Sequence, residues 1–340
     1  MFKPKAQKTI PSNANFGVNA PNIEFLYKIM LQRAPKKSEI DYYLEYARNN
    51  DLDNIADLSA FFINSAEFQK ANRVDKKTVW SEFKTVTYDG LNLSLPVGDF
   101  TELSISDNRL YEPYVSTHLL DNLTSTKCFI DVGANLGLFA LPVARRLAPR
   151  GHVYAFEASA KNANLLQANA KANGISNISV YPVAVGDRNG SVFSQINDST
   201  SNKSVFLDNR KVDNIEILPL VRLDNFWNHK IKVDMIKIDI EGFEYRFFVG
   251  ANKVVSDSHP KIYMEYADSF QRSGSGVPGE KLLNLLLEHG YTLTILHRAK
   301  QPELVIGTKS EIVEAVDGAL QRHISDDRGT HLDLYLEIAG

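Results

Sequence analysis

The sequence predicts an α/β fold: a mostly parallel seven-stranded sheet covered by helices, preceded by a small helical bundle. Three observations carry this. From Cys128 onward, short apolar runs alternate with stretches of helical periodicity, at 128–132, 137–147, 153–157, 161–173 and 178–185. Such alternation joins parallel strands through helical crossovers. The 340 residues, 44% hydrophobic and 23% charged, are enough for one large domain with an appendage and for a core that needs no covalent staples. The charge is also divided: residues 1–78 carry a net +3 and residues 79–340 a net −6.

Residues 1–21 are polar and aperiodic and read as a flexible tail. Ile23, Leu26, Tyr27 and Met30 recur at helical spacing, and Ala34-Pro35 ends that run. Ser38 stands as an N-cap before Ile40, Tyr43, Leu44 and Ala47, and a third helix runs from Asn54 through Leu58, Phe61 and Phe62. These make a helical module over 22–78, a surface through which copies of the chain could associate as a homo-oligomer. Residues 79–340 form the second unit. It opens on a hairpin, with alternating segments either side of Asp89-Gly90. Later strands are expected at 216–222, 233–240, 261–266, 291–297 and 332–338, one of them antiparallel, with helices at 243–254 and 279–289. The polar stretch 194–214 and Ser273-Gly274-Ser275-Gly276 read as loops, which at the carboxyl ends of strands build binding pockets.

Composition excludes several classes. A single cysteine, Cys128, permits neither a disulfide framework nor a multi-cysteine metal site and points to a reducing, cytoplasmic location. No apolar run approaches the ~18 residues of a membrane span. A net charge of −3 supplies no basic footprint for nucleic acid.

The most informative segment is Cys128-Phe-Ile-Asp131-Val-Gly133-Ala134-Asn135-Leu-Gly137. An apolar strand ends on a carboxylate, turns through small residues and enters a helix, which brings backbone N–H groups up to a ligand. A dinucleotide fingerprint needs glycines at the first, third and sixth positions; counted from Gly133 these are Gly133, Asn135 and Leu138. That mismatch weighs against NAD. A carboxylate at the head of the turn suits a cationic ligand such as S-adenosylmethionine and would repel a pyrophosphate. Glu157 closes the next strand, where a carboxylate accepts hydrogen bonds from ribose hydroxyls in either kind of site.

A third strand ends at Asp239, with Glu241 and Glu244 just beyond. Carboxylates so close favour a raised pKa suited to a general base, or a divalent cation held by oxygen ligands. Asp239, Glu241 and His118 are the candidate bases; Asp239, Glu241 and Glu265 are the candidate metal ligands. Glu265 and Tyr266, at the end of another strand on the same edge, are candidates for holding an acceptor.

With these blocks in place the chain resembles the FkbM-type methyltransferases. The resemblance rests on Leu110-Tyr-Glu112-Pro113, on 129–137, on Val153-Tyr-Ala-Phe-Glu157 and on Ile236-Lys-Ile-Asp-Ile-Glu-Gly242. Ala184-Val-Gly-Asp187, Arg222-Leu-Asp224 and Pro260-Lys-Ile-Tyr-Met-Glu265 support it. It implies a Rossmann-like class I methyltransferase fold and S-adenosylmethionine-dependent O-methylation of a saccharide, glycolipid or small-molecule acceptor. It further implies that Glu112, Asp131, Gly133, Ala134, Asn135 and Gly137 line the methionine and ribose, with Glu157 and Ala158 at the ribose. Ala184 and Val185 would then form the adenine rim, and Asp239 would lie beside the sulfonium. Ala158-Ser159 departs from the family's more usual Pro-Asn after the ribose carboxylate, but the carboxylate itself is kept. The helical module resembles, more weakly, one that accompanies surface-glycan genes, through Tyr27, Leu31, Arg33, Pro35 and Ser65-Ala-Glu67-Phe68.

Overall fold

The computed structural model describes residues 19, 20, 23, 24, 27, 33–49, 82–97, 105, 110–195, 205–206, 215–297, 301–326 and 330–338. Of the expected helical module, the second helix is described, α1 (Lys37–Asn49), with Tyr43 and Ala47 buried. The third helix, the tail and most of the first helix lie outside the described residues. The hairpin expected at Asp89-Gly90 is β1 (Phe83–Tyr88) paired antiparallel with β2 (Leu91–Pro96).

The central sheet is built on β3 (Cys128–Val132), β4 (His152–Phe156), β5 (Ile178–Tyr181), β10 (Met235–Ile238) and β11 (Lys261–Tyr266). These run parallel in the order β11-β10-β3-β4-β5. Every residue of β3 and β10 is buried, as expected for strands covered on both faces. Two cores lie on the two faces: one contains Ile130, Ile236 and Ile262, the other Phe129, Met235 and Tyr263. β14 (Leu332–Ile338) inserts antiparallel between β11 and β12 (Tyr291–Leu296), where the sequence predicts one late reversal and the sheet has two, the other being the short edge strand that follows β12. One short strand more, β13 (Glu303–Val305), pairs with β12, so the sheet has eight strands rather than seven.

The helices on the sheet are α2 (Pro113–Asp121), α3 (Ala140–Leu147), α4 (Ala160–Ala172), α5 (Leu223–Phe226), α6 (Glu244–Gly250), α7 (Asn252–Ser258), α8 (Asp268–Gly274), α9 (Gly279–Glu288) and α10 (Lys309–Ser325). The helix expected over 243–254 is two helices, α6 and α7, broken at Ala251. The Gly/Ser segment read as a loop is in part the end of α8.

A second correction concerns 178–222. The expected single strand at 178–185 divides into β5 and β6 (Ala184–Val185), which leaves the main sheet. β6 pairs with β9 (Ile215–Val221), and β9 with β7 (Gly190–Gln195), which in turn pairs with β8 (Val205–Phe206). This side sheet buries Val192, Leu218 and Leu220 against Phe243. Gly186 permits the approach, because a Cβ there would stand 2.6 Å from the Phe243 ring. The segment read as a loop at 194–214 thus carries parts of two strands; its remainder lies outside the described residues.

Candidate active site

β3 delivers Asp131 to the carboxyl edge of the sheet, and the chain then turns through Gly133 (φ 82), Asn135 (φ 47) and Gly137 (φ 89). Gly133 is fixed sterically: a Cβ on it would meet the Asp239 carbonyl oxygen at 1.8 Å. Gly133 and Ala134 donate their N–H groups to the Phe156 carbonyl at 2.8 and 3.0 Å, which pins the turn to the end of β4. Asn135, a residue that tolerates the left-handed region, donates its N–H to Glu157 Oε2 at 2.8 Å. Ser159 donates its N–H to the other oxygen, Oε1, at 2.9 Å. Both Glu157 oxygens are oriented by backbone, and the residue lines the cavity.

That cavity has a volume of about 660 Å³ and runs along the carboxyl edge. One end is walled by Ala158, Val183, Ala184, Val185, Leu218 and Ser194, the last four supplied by the side sheet. The Ser194 Oγ is buried there without a hydrogen-bond partner among the described residues. The other end is acidic, with Glu112, Asp239, Glu241 and Glu265 beside Tyr111, Tyr114, Phe270 and His331.

Lys237 holds the acidic end together. Strand register places it beside Asp131 on β3 and Tyr263 on β11, while its neighbours Ile236 and Ile238 point to the opposite face. It is 2% exposed, pairs with Asp239 Oδ2 at 3.3 Å and lies 4.5 Å from the centre of the Phe139 ring. Burial opposes its charge, but Asp239, Glu112, Glu265 and Asp131 outweigh that and hold the ammonium protonated, its pKa raised. The carboxyls respond to the same crowding. Burial pushes Asp131 up to about 7 against the pull of Lys237, and its Oδ2 has no partner among the described residues. Burial and Asp333 push Glu112 up to about 8. Burial and Asp239 raise Glu265 well above its ordinary range, and burial likewise raises Asp333, which accepts a hydrogen bond from the Tyr114 hydroxyl.

These shifts fix the sign of the pH dependence. The folded chain binds protons on Asp131, Glu112 and Glu244 (the last pushed by burial to about 7) that the unfolded chain releases near its ordinary carboxyl values of 3.8 to 4.5. Their stabilising contribution is complete below those values and is lost as the pH rises to 8. We expect the melting temperature of the ligand-free protein to fall from pH 5 to pH 8, less steeply in Asp131→Asn. A melting temperature that rises over that interval contradicts the assignment.

The structure brings together Asp131, Gly133, Ala134, Asn135, Glu157, Ala158, Ala184, Val185, Glu112, Asp239, Glu241 and Glu265 around the one cavity. Four residues singled out from the sequence stand elsewhere. Gly137 does not line it: the α-carbon faces Leu166, whose side chain a Cβ would meet at 2.1 Å. His118 does not line it either; its Nδ1 lies 2.8 Å from the Tyr263 hydroxyl and its ring packs on Tyr335. Tyr266 points to the opposite face of the sheet from Glu265, since successive strand residues alternate, and its hydroxyl donates to Asp317 at 2.7 Å. Glu244 is buried beneath the loop, accepting from the N–H groups of Ile240 and Gly242 and from the Gln271 amide, which makes it a support for that turn. The metal set expected at Asp239, Glu241 and Glu265 is only partly gathered. Asp239 turns to Lys237, and the residues that bring ligand atoms together with Glu265 are Glu112 and His331. The residues that sequence reasoning missed are Lys237, Ser194 and His331. The lysine had a signal: it interrupts an apolar strand flanked by strand-ending carboxylates.

The parallel sheet thus carries a carboxylate-headed glycine turn after β3, the Glu157 carboxylate after β4 and an acidic end after β10, all on one edge. Residues 131–293 match the family model for the methyltransferase FkbM domain. Among solved structures it is similar to the methyltransferase FkbM from Methylobacillus flagellatus KT, with 16% identity over 62% of this chain and 43% of that chain and a TM-score of 0.37. It is similar as well to an O-methyltransferase from Thermotoga maritima (10% identity, 70% of each chain, TM-score 0.36). A third is TYW2 from M. jannaschii in complex with AdoMet (15% identity, 76% of this chain and 87% of that one, TM-score 0.34). The chain spans less than half the length of the first of these. No curated protein matches the sequence. Among the described residues no helix is long and apolar enough to cross a membrane.

Proposed function

We propose that this protein transfers the methyl group of S-adenosylmethionine to a hydroxyl of a sugar, glycan or glycolipid. The observation that carries the reading is one continuous cavity with the glycine turn and Glu157 on one side and a carboxylate-rich, aromatic-lined end on the other. Its volume of about 660 Å³ falls in the range of cofactor sites, roughly 300–1,000 Å³. The residues fit the group. Gly133 forms a cradle that any side chain would fill, and Asp131 Oδ2 and Ser194 Oγ are buried polar atoms still lacking partners among the described residues. In this reading Asp131, Gly133, Ala134 and Asn135 hold the methionine and ribose, and Glu157 takes the ribose hydroxyls. Ala158, Ala184, Val185 and Ser194 meet the adenine. When bound, S-adenosylmethionine supplies an electrophilic methyl on a sulfonium.

The chain's own part is to orient the acceptor and take its proton. A free hydroxyl is a poor nucleophile, so a carboxylate within reach must accept the proton as the new C–O bond forms. Asp239 fills that role, with Lys237 as the positioning residue that holds the carboxylate at the sheet edge. Glu241 and Glu265 supply acceptors for further hydroxyls, and Tyr111, Tyr114 and Phe270 supply ring faces. Such a lining matches a saccharide, polar on its edge and apolar on its face.

The test is incubation with isotopically methyl-labelled S-adenosylmethionine and a panel of saccharides and glycolipids, with products read by mass spectrometry. A methyl ether is expected, and Asp239→Asn should lower kcat by about 10²-fold or more. Label appearing on nitrogen, or unchanged turnover in Asp239→Asn, contradicts the proposal; label on a small natural product instead would keep the reaction and move the acceptor class.

A further inference from the structure

We propose that Glu112, Glu265 and His331 form a binding site for one divalent transition-metal ion at the acceptor end of the cavity. The three donors come from separate parts of the chain: Glu112 caps α2, Glu265 lies near the end of β11, and His331 immediately precedes β14. One ligand atom from each lies within 4.8 Å of the others. Glu265 Oε1 and His331 Nε2 are 3.6 Å apart. Donors at about 2.1 Å from a metal are separated by roughly 3.0 Å across an octahedral angle and roughly 3.4 Å across a tetrahedral one. A few tenths of an ångström of side-chain movement closes that pair on an ion.

A second observation points to a ligand. Glu112 Oε2 is shut off from solvent and has no hydrogen-bond partner among the described residues. A buried carboxylate oxygen left in that state is costly, and a cation relieves it. The local charge agrees. Glu112, Glu265, Asp239 and Asp333 act on one another, and the cations acting on them are Lys237 and, at Asp333, His331. Lys237 sits directly on Asp239, so among the described residues the Glu112–Glu265 pair has no ammonium of its own within ion-pair distance.

The donor set also selects the ion. Magnesium and calcium take oxygen ligands, whereas one imidazole with two carboxylates suits manganese, iron or zinc. Three protein donors leave coordination positions open, and all three residues line the cavity. Resting on the methyl-transfer reading, those positions would take the acceptor oxygen. Its O–H proton would pass to Asp239 while the oxygen forms a bond to the methyl carbon and the carbon–sulfur bond breaks.

The test uses the full chain after treatment with a chelator. Mn²⁺ is titrated in while the electron paramagnetic resonance signal of the free ion is followed, and Zn²⁺ is added as competitor. We expect one saturable Mn²⁺ site per chain, displaced by Zn²⁺ and weakened at least about tenfold in each of Glu265→Gln, His331→Ala and Glu112→Gln, with circular dichroism verifying that each variant is folded. No saturable binding to the wild type, or equal binding by the folded variants, overturns the proposal and leaves Glu265 and His331 as a side-chain pair without an ion. S-adenosylhomocysteine is titrated into the metal-free wild type in parallel. A Mn²⁺ site without S-adenosylhomocysteine binding supports the ion site and overturns the methyl-transfer reading alone.

Discussion

Gly133→Ala abolishes S-adenosylhomocysteine binding and lowers the melting temperature. The added Cβ would stand 1.8 Å from the Asp239 carbonyl oxygen, which belongs to backbone and has no rotamer to escape into. The glycine also holds φ at 82°, where an L side chain costs about 1–2 kcal/mol, and overpacking adds about 1–3 kcal/mol. Relief can come only by parting the glycine turn from the end of β10, and that pushes the turn against the end of β4 and displaces the Asn135 N–H from its hydrogen bond with Glu157. Calorimetry should read a loss of affinity beyond about 10²-fold, and thermal unfolding a loss of several degrees. Wild-type affinity in a folded Gly133→Ala protein would show that the turn does not build the cofactor site.

Lys237→Met is expected to be the most destabilising single change at the site. Methionine matches the length of the lysine stem, so packing on Phe139 is largely preserved and the loss is one of charge. Removing one partner of a buried ion pair costs about 3–5 kcal/mol, since the carboxylates left behind are uncompensated. Here four of them, Asp239, Glu112, Glu265 and Asp131, act on the one ammonium. The defect should shrink from pH 8 to pH 5, because Asp131 and Glu112, which titrate at about 7 and 8, become neutral and no longer need a counter-charge. A defect of constant size across that range would mean that Lys237 contributes through packing.

Much of this site was legible in the sequence because class I chemistry puts its carboxylates at strand ends. Asp131, Glu157 and Asp239 each follow an apolar run, and the parallel register brings all three to one edge of the sheet. The errors came where a local pattern does not determine direction. Glu265 and Tyr266 are adjacent, and strand alternation sends one into the cavity and the other to Asp317. His118 is on a helix whose buried side faces Tyr263 and Tyr335, and nothing in its neighbours' sequence distinguishes that side from the cavity side. Glu112 and His331 meet Glu265 only through tertiary folding, so their convergence has no sequence spacing to betray it. The side sheet was hidden for a different reason. β6 is two residues long and β7 and β9 pair with each other, so their apolar content is spent on Phe243 rather than on the main core.

The account's central claim is that the cavity is an S-adenosylmethionine site, and calorimetric titration of the ligand-free wild type with S-adenosylhomocysteine, set beside an identical titration with NAD, tests it most directly. Saturable binding of S-adenosylhomocysteine is predicted, one per chain, weakened at least about tenfold in Glu157→Ala by loss of the charge-assisted ribose hydrogen bonds, with no heat from NAD. Binding of NAD in its place, or no binding of either by a folded chain, would contradict it.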